Sequence, residues 1–107
     1  MTITDFCGVL TAFETANHVP FRHYTFSKPT PPPCIAWLEM DGDSVHGDGV
    51  NVQDEVYIRL ELYIRPEDET TPAALEAALT SAGLSYERDR AWIDERHEVM
   101  MIYEINL

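Results

Sequence analysis

The sequence predicts an α+β two-layer sandwich with element order α-β-β-β-α-β-β. Its sheet should be mixed but mostly antiparallel, with two helices on one face. Three observations carry this. Apolar residues recur at helical spacing near the N-terminus and again in the seventies. Between them runs a stretch of strict two-residue alternation. Two short helices can cover only one face of five strands.

The first helix rests on Ile3, Phe6, Val9, Leu10 and Phe13, three or four residues apart along one face. Thr2 or Thr4 is placed to cap it, Asp5 favours its start, and Asn17 is placed to end it. Gly8 costs such a helix about 0.5–1 kcal/mol relative to alanine, so it needs tertiary support. Val19-Pro20 breaks the helical run. Residues 21–26 then read as a strand. The proline-rich run from Lys28 to Pro33 reads as a stiff extended connector, because proline fixes φ and removes a donor.

Residues 34–40 read as the second strand. Residues 41–49, DGDSVHGDG, are a turn-rich excursion, and 50–53 is a candidate short strand within it. Over 55–65 the alternation has no break: Val56, Ile58, Leu60, Leu62 and Ile64 face one way, and Glu55, Tyr57, Arg59, Glu61, Tyr63 and Arg65 the other. That pattern is a half-buried strand. Thr71 as N-cap and Pro72 at the first helical position open the second helix. Its apolar face is Ala74, Leu75, Ala78, Leu79 and Ala82, and Gly83 with Leu84 closes it. Residues 85–91 and 99–107 read as the last two strands, joined by a turn over 93–96.

The 107 residues make one domain, 1–107. Hydrophobic residues are 45% and charged residues 24%, as in an ordinary folded domain, which excludes disordered, collagen-like and coiled-coil classes. The apolar runs fall well short of the roughly 18 residues of a membrane span. The N-terminal stretch lacks a basic residue ahead of its apolar positions, so it does not read as a secretory signal. Nineteen acids against seven scattered bases give a net charge of −12. Phosphate backbones demand clustered cations, so specific nucleic-acid binding and anionic membranes are not expected partners. Cys7 and Cys34 fit no CxxC or zinc pattern and read as buried free thiols.

There is no Gly-x-Ser-x-Gly elbow, no phosphate-binding glycine loop, and no motif tying Cys7 to a histidine. Asp41, Asp43, His46 and Asp48 resemble the start of a calcium loop. Val45 and Val52, however, stand where the third ligand and the closing glutamate belong. His18, His23, His46 and His97 show no metal-binding spacing. Glu39, Asp41, Glu61, Glu87 and Asp89 can approach one another on the sheet, as nineteen acids in so short a chain make expected. No catalytic residue, cofactor or metal is assigned, and the chain reads as not an enzyme.

The sheet says more. The outward set of the long strand carries Tyr57 and Tyr63. The last strand has Val99, Met101, Tyr103 and Ile105 on one face and Met100 and Ile102 on the other. Ile35 and Trp37 likewise oppose Cys34, Ala36, Leu38 and Met40. A sheet apolar on both faces is expected to be covered on the second one by self-association or a larger complex. Tyr57 and Tyr63, with Arg59 between them, are the expected anchors. Asp43, His46 and Asp48, on an excursion that promises no core contact, are expected to order against a neighbour.

One stretch carries a resemblance. Val19-Pro20-Phe21-Arg22-His23-Tyr24-Thr25-Phe26, then Pro31-Pro32-Pro33, then the strand 34–40, resembles small tail proteins of siphophages and prophages. The later pieces follow in that family's order: Leu60-Glu61-Leu62-Tyr63, the LTSAGLSYE stretch from Leu79 to Glu87, Ile93-Asp94-Glu95 and Ile102-Tyr103-Glu104-Ile105. The resemblance implies a tail terminator or head–tail joining protein. Such a structural virion protein forms a hexameric ring at the end of the tail tube. It is made in the bacterial host cytoplasm and resides in the tail or neck, with tail-tube and neck or connector proteins as partners and no catalysis. The acidity suits a bore through which DNA slides without binding. The rival reading is a small acidic inhibitor that mimics DNA and acts by protein–protein binding; Arg59, Arg65, Arg88, Arg90 and Arg96 interrupt the aligned carboxylates it would need.

Overall fold

The computed structural model describes residues 1–40 and 56–107. Its elements are α1 (Ile3–Asn17), β1 (Phe21–His23), β2 (Cys34–Met40), β3 (Tyr57–Ile64), α2 (Thr70–Ser81), β4 (Ser85–Ile93), a 3-10 turn (Asp94–Arg96) and β5 (Glu98–Asn106). The five strands form one sheet in the order β1-β2-β3-β5-β4. β1 runs parallel to β2, and every other pairing is antiparallel. This is the α+β order expected from the sequence, with both helices on one face. The excursion 41–49 and the candidate strand 50–53 lie outside the described residues.

α1 begins in a reciprocal cap. The Asp5 amide donates to Thr2 Oγ1 and the Thr2 amide to the Asp5 carboxylate, both at 3.1 Å. This pair satisfies two donors that a helix start leaves without intrahelical partners. At the other end His18, rather than Asn17, takes the left-handed conformation at φ 60°, and its amide donates to Glu14 O at 2.7 Å. Phe6, Leu10 and Phe13 are the buried stripe.

The start of α2 departs from expectation. Thr71 is not the cap, and Pro72 is the third helical residue, since the helix runs from Thr70. The capping oxygen belongs to Asp68: its carboxylate accepts from the Thr70 amide at 3.1 Å, the Thr71 amide at 3.0 Å and Thr71 Oγ1 at 2.7 Å. A carboxylate outcompetes a hydroxyl for these amides, since it accepts from several donors and complements the helix dipole. Pro72 is tolerated because amides of the first turn have no intrahelical acceptor. The C-terminus closes as the glycine predicts. Gly83 has φ +79°, its amide donates to Thr80 O at 2.9 Å, and the Leu84 amide donates to Leu79 O at 3.0 Å, the two bonds of a Schellman end.

β1 is shorter than the stretch 21–26. Tyr24 has φ 71°, which turns the chain out of the strand, though its amide still donates to Trp37 O at 2.7 Å. The connector that follows lies across the sheet face without helices. Tyr24 to Thr30 form a shallow cavity with Cys34, Ala36 and Tyr63, and Arg22 lies 5.6 Å from the Phe26 ring centre. β4 and β5 extend beyond the expected limits, β4 to Ile93 and β5 back to Glu98.

The core lies between the helices and one sheet face. It joins Phe6, Leu10 and Phe13 with Leu75 and Leu79 over Ile35 and Trp37 of β2, Ile58 to Ile64 of β3 and Val99 to Ile105 of β5. Every core residue of β3 and β5 is two apart from the next, as a pleated strand requires.

Asp68→Ala is expected to lower stability by about 1 kcal/mol, the usual worth of a side-chain cap. Glu69→Ala, at a position whose side chain makes no cap bond, should stay within about 0.5 kcal/mol of the parent. Urea unfolding of both variants checks this, and a larger loss at Glu69 would contradict the assignment.

Candidate functional site

The face opposite the helices can be read row by row from the strand register. Cys34, Tyr63, Met100 and Ala91 form one row across β2, β3, β5 and β4. Ala36, Glu61, Ile102 and Asp89 form the next, then Leu38, Arg59, Glu104 and Glu87, then Met40, Tyr57, Asn106 and Ser85. Among the described residues no helix covers these rows. Cys34 and Ala36 are nevertheless only 5% exposed, because the connector after Tyr24 lies over them. Leu38, Met40, Met100 and Ile102 are half-buried.

The expected anchors share this face. Tyr57, Arg59 and Tyr63 all lie on it and all are half-buried. Tyr57 and Tyr63 are six residues apart on one strand, about 20 Å, so they mark two ends of the face. Glu61 organises the ground between. Arg59 Nε donates to its Oε2 at 2.8 Å, and the Tyr63 hydroxyl donates to its Oε1 at 2.6 Å. The Arg96 guanidinium lies 5.4 Å from the Tyr63 ring centre and pairs with Glu98 at 3.5 Å. Burial, with the Glu61 charge beside it, pushes the Tyr63 hydroxyl well above its ordinary range. Asp43, His46 and Asp48 lie outside the described residues.

The carboxylates considered for acid–base work are not brought together. Glu39 sits on the helix side of β2 and meets His23 Nε2 at 2.8 Å. Glu61, Glu87 and Asp89 sit on the other face, and Asp41 is not described. Among the described residues no group of three histidine, cysteine or acidic side chains converges as a metal site. Cys34 is buried and Cys7 half-buried, both as free thiols. Burial pushes Cys34 up to about 11 and raises Cys7 as well.

Two features escaped the sequence reading. His23 stacks on Trp37 with centroids 4.2 Å apart and contacts Tyr24 at 4.1 Å. Trp92 is 53% exposed on the helix side of β4, where Tyr86, Arg88, Arg90 and Trp92 alternate. That alternation is visible in the sequence, but a strand ended at Ala91 leaves the tryptophan out. The same alternation corrects one inference. Arg88 and Arg90 interrupt Glu87 and Asp89 in sequence, yet they face the opposite side from those acids; Arg59 stands among the acids of the open face.

Behind β4, Glu76 of α2 accepts from Arg88 Nη1 and from the Tyr103 hydroxyl, both at 2.8 Å. Desolvation pushes the Glu76 carboxyl up, but these two donors together outweigh it and hold it below the ordinary value. Among the described residues no helix is long and apolar enough to cross a membrane. Comparison with family models, with curated proteins and with solved structures gives no match.

Two outcomes follow. A depressed carboxylate contributes stability that is present above its unfolded value, 4.5, and is lost as pH falls through the lower folded value. Stability should therefore decline below about pH 4.5, and Glu76→Gln should flatten that part of the decline in pH-dependent urea melts. With a thiol reagent at pH 8, Cys7 should react first and Cys34 only on unfolding. Cys34→Ser should cost about 1–3 kcal/mol, since it buries a hydroxyl in place of sulfur.

Proposed function

We propose that this chain is a structural virion protein of a siphophage or prophage tail, a tail terminator or head–tail joining subunit. In this reading it closes into a hexameric ring at the end of the tail tube, between the tube protein and the neck or connector proteins. It is made in the host cytoplasm and ends in the virion. The order of motifs from Val19 to Ile105 supports the family reading. The observation that carries the assembly reading is the open sheet face. Leu38, Met40, Tyr57, Tyr63, Met100 and Ile102 stand there half-buried, with no helix among the described residues above them. A surface of aromatics, methionine and arginine is the composition of a protein interface. A ring needs a heterologous contact that closes, and this face supplies one side of it.

The net charge of −12 suits a ring whose bore passes DNA without holding it. The reading as a DNA-mimicking inhibitor has less support. It needs an uninterrupted carboxylate array, and Arg59 pairs with Glu61 at 2.8 Å in the middle of the face.

The test is the double variant Tyr57→Ala/Tyr63→Ala. Interface aromatics often cost about 2 kcal/mol or more each on truncation. The parent, at high concentration or on tail tubes, should have the mass of about six chains. The double variant should fold and stay a monomer. A parent that remains monomeric with tail tubes present, or a variant that still forms rings, would overturn the assignment.

A further inference from the structure

The open face is divided in relief and in charge. The connector lies over its β1–β2 half, where Cys34 and Ala36 are 5% exposed. A cavity of about 340 Å3 between connector and sheet reaches Tyr63 of β3 and Glu98 of β5. Ile102, Glu104 and the outward residues of β4 do not border it. The face thus has a step: a raised half under the connector and a bare half over β5 and β4.

The raised half is cationic. Arg22 shares a face with its register partner Ala36, and its guanidinium lies 5.6 Å from the Phe26 ring centre. Lys28, the sole lysine of the chain, and Arg96 border the cavity. The one acid beside them there, Glu98, is paired with Arg96 at 3.5 Å. Arg22 and Lys28 are exposed and make no ion pair among the described residues.

The bare half is acidic. Glu87, Asp89 and Glu104 are exposed and make no ion pair among the described residues either. Glu87 lies directly across from Glu104, a like-charge pairing that costs an isolated sheet stability. Arg59, across from Glu104 on β3, is bonded to Glu61 at 2.8 Å, and Arg88 and Arg90 face the other way. Among the described residues, four cations therefore stand against five acids on this face, a near balance in a chain of net charge −12. Copies meet less like-charge repulsion here than over the rest of the surface.

We infer that a second copy of this chain occupies the open face, with the connector of one copy seated on the β5–β4 half of the next. Arg22 and Lys28 meet Glu87, Asp89 and Glu104, and the Glu87–Glu104 pair gains the cations it lacks. The two halves complement each other in relief and in charge on one molecule, so a second copy supplies both matches at once. A uniformly acidic partner would meet Glu87 and Asp89, a uniformly basic one Arg22 and Lys28, and nucleic acid all the acids of the face. The inference rests on the proposed reading of this face as a contact between copies and adds which parts meet.

The test mixes isotope-labelled and unlabelled full-length chain at low salt and adds a carbodiimide, which joins an amine directly to a carboxylate. Lys28 is the only side-chain amine. Mass spectrometry should therefore find Lys28 joined to Glu87, Asp89 or Glu104, with both isotopes in one product. Sedimentation should show self-association that weakens with salt. Lys28→Glu, and separately Glu87→Lys/Asp89→Lys, should each weaken it about tenfold, and mixing the two variants should restore it. The second variant moves the net charge toward zero, so repulsion alone predicts the opposite sign. Arg90→Glu, on the other face, changes the charge as much as Lys28→Glu and should leave association nearly unchanged. Absence of cross-links between chains, cross-links to Asp68 or Glu69 on the helix side, or charge variants that associate as the parent does would each overturn the contact. A parent that stops at two chains while giving these cross-links keeps the contact, made reciprocally, and removes the ring. Rings formed on tail tubes without these cross-links keep the ring and remove this contact.

Discussion

One cross-strand row holds both helices to the sheet. Leu60 pairs with Trp37 on one side and Tyr103 on the other. Trp37 takes the edge of Phe6 at 5.8 Å and 75°, which seats α1. The Tyr103 hydroxyl reaches Glu76 at 2.8 Å, which seats α2, and Tyr86 meets the Tyr103 ring edge-on at 5.4 Å. A one-residue slip of β3 would put Arg59 and Glu61 under the helices and expose Ile58, Leu60 and Leu62. Because a strand's faces alternate, no partial slip exists. Burying those charges without partners would cost several kcal/mol each. The register is therefore fixed by the core, and the contents of the open face follow from it.

That constraint sorts the charges in a way the linear sequence hides. Glu87, Arg88, Asp89 and Arg90 are consecutive, yet acids and arginines separate onto opposite faces. On the open side Glu87 lies directly across from Glu104, an unfavourable pairing for an isolated sheet. Arg59, across from Glu104 on the other side, places a positive charge next to this pair while bonding to Glu61. On the helix side Arg88 and Arg90 have only Glu76 as a direct ion-pair partner among the described residues. The acids and the arginines of β4 thus lie on opposite faces of one strand.

Much of this was legible because it depends on period alone. The eight residues of β3, the buried stripe of α1 and the Gly83 end of α2 each follow from a local pattern and a local physical cause. The α2 cap was misread because Thr71 and Asp68 are both good caps, and the choice turns on which oxygen reaches more amides in space. β1 was drawn too long because nothing in Tyr24-Thr-Phe26 announces a left-handed turn at a tyrosine, a conformation imposed by the tertiary path. The cover over Cys34 and Ala36 was invisible for the same reason: proline predicts stiffness, not where the stiff segment lies. The anchors Tyr57, Arg59 and Tyr63 could be placed on one face from alternation. The bonds of Arg59 and Tyr63 to Glu61 could not, since they need side-chain positions.

The two edges of the sheet bear on how the proposed ring can close. β1 has three residues, roughly 10 Å of strand, enough for two or three main-chain bonds. β4 has nine. A ring built by joining β4 of one copy to β1 of the next would leave most of β4 unmatched. Edge pairing is thus a poor source of closure. The open face offers more: six half-buried apolar side chains spread over β2, β3 and β5, with the polar bonds of Glu61 already satisfied within the chain. A carboxylate already paired within the chain, as Glu61 is, costs less to desolvate on docking than a lone one. In the proposed ring the face is therefore the better candidate for contact between copies.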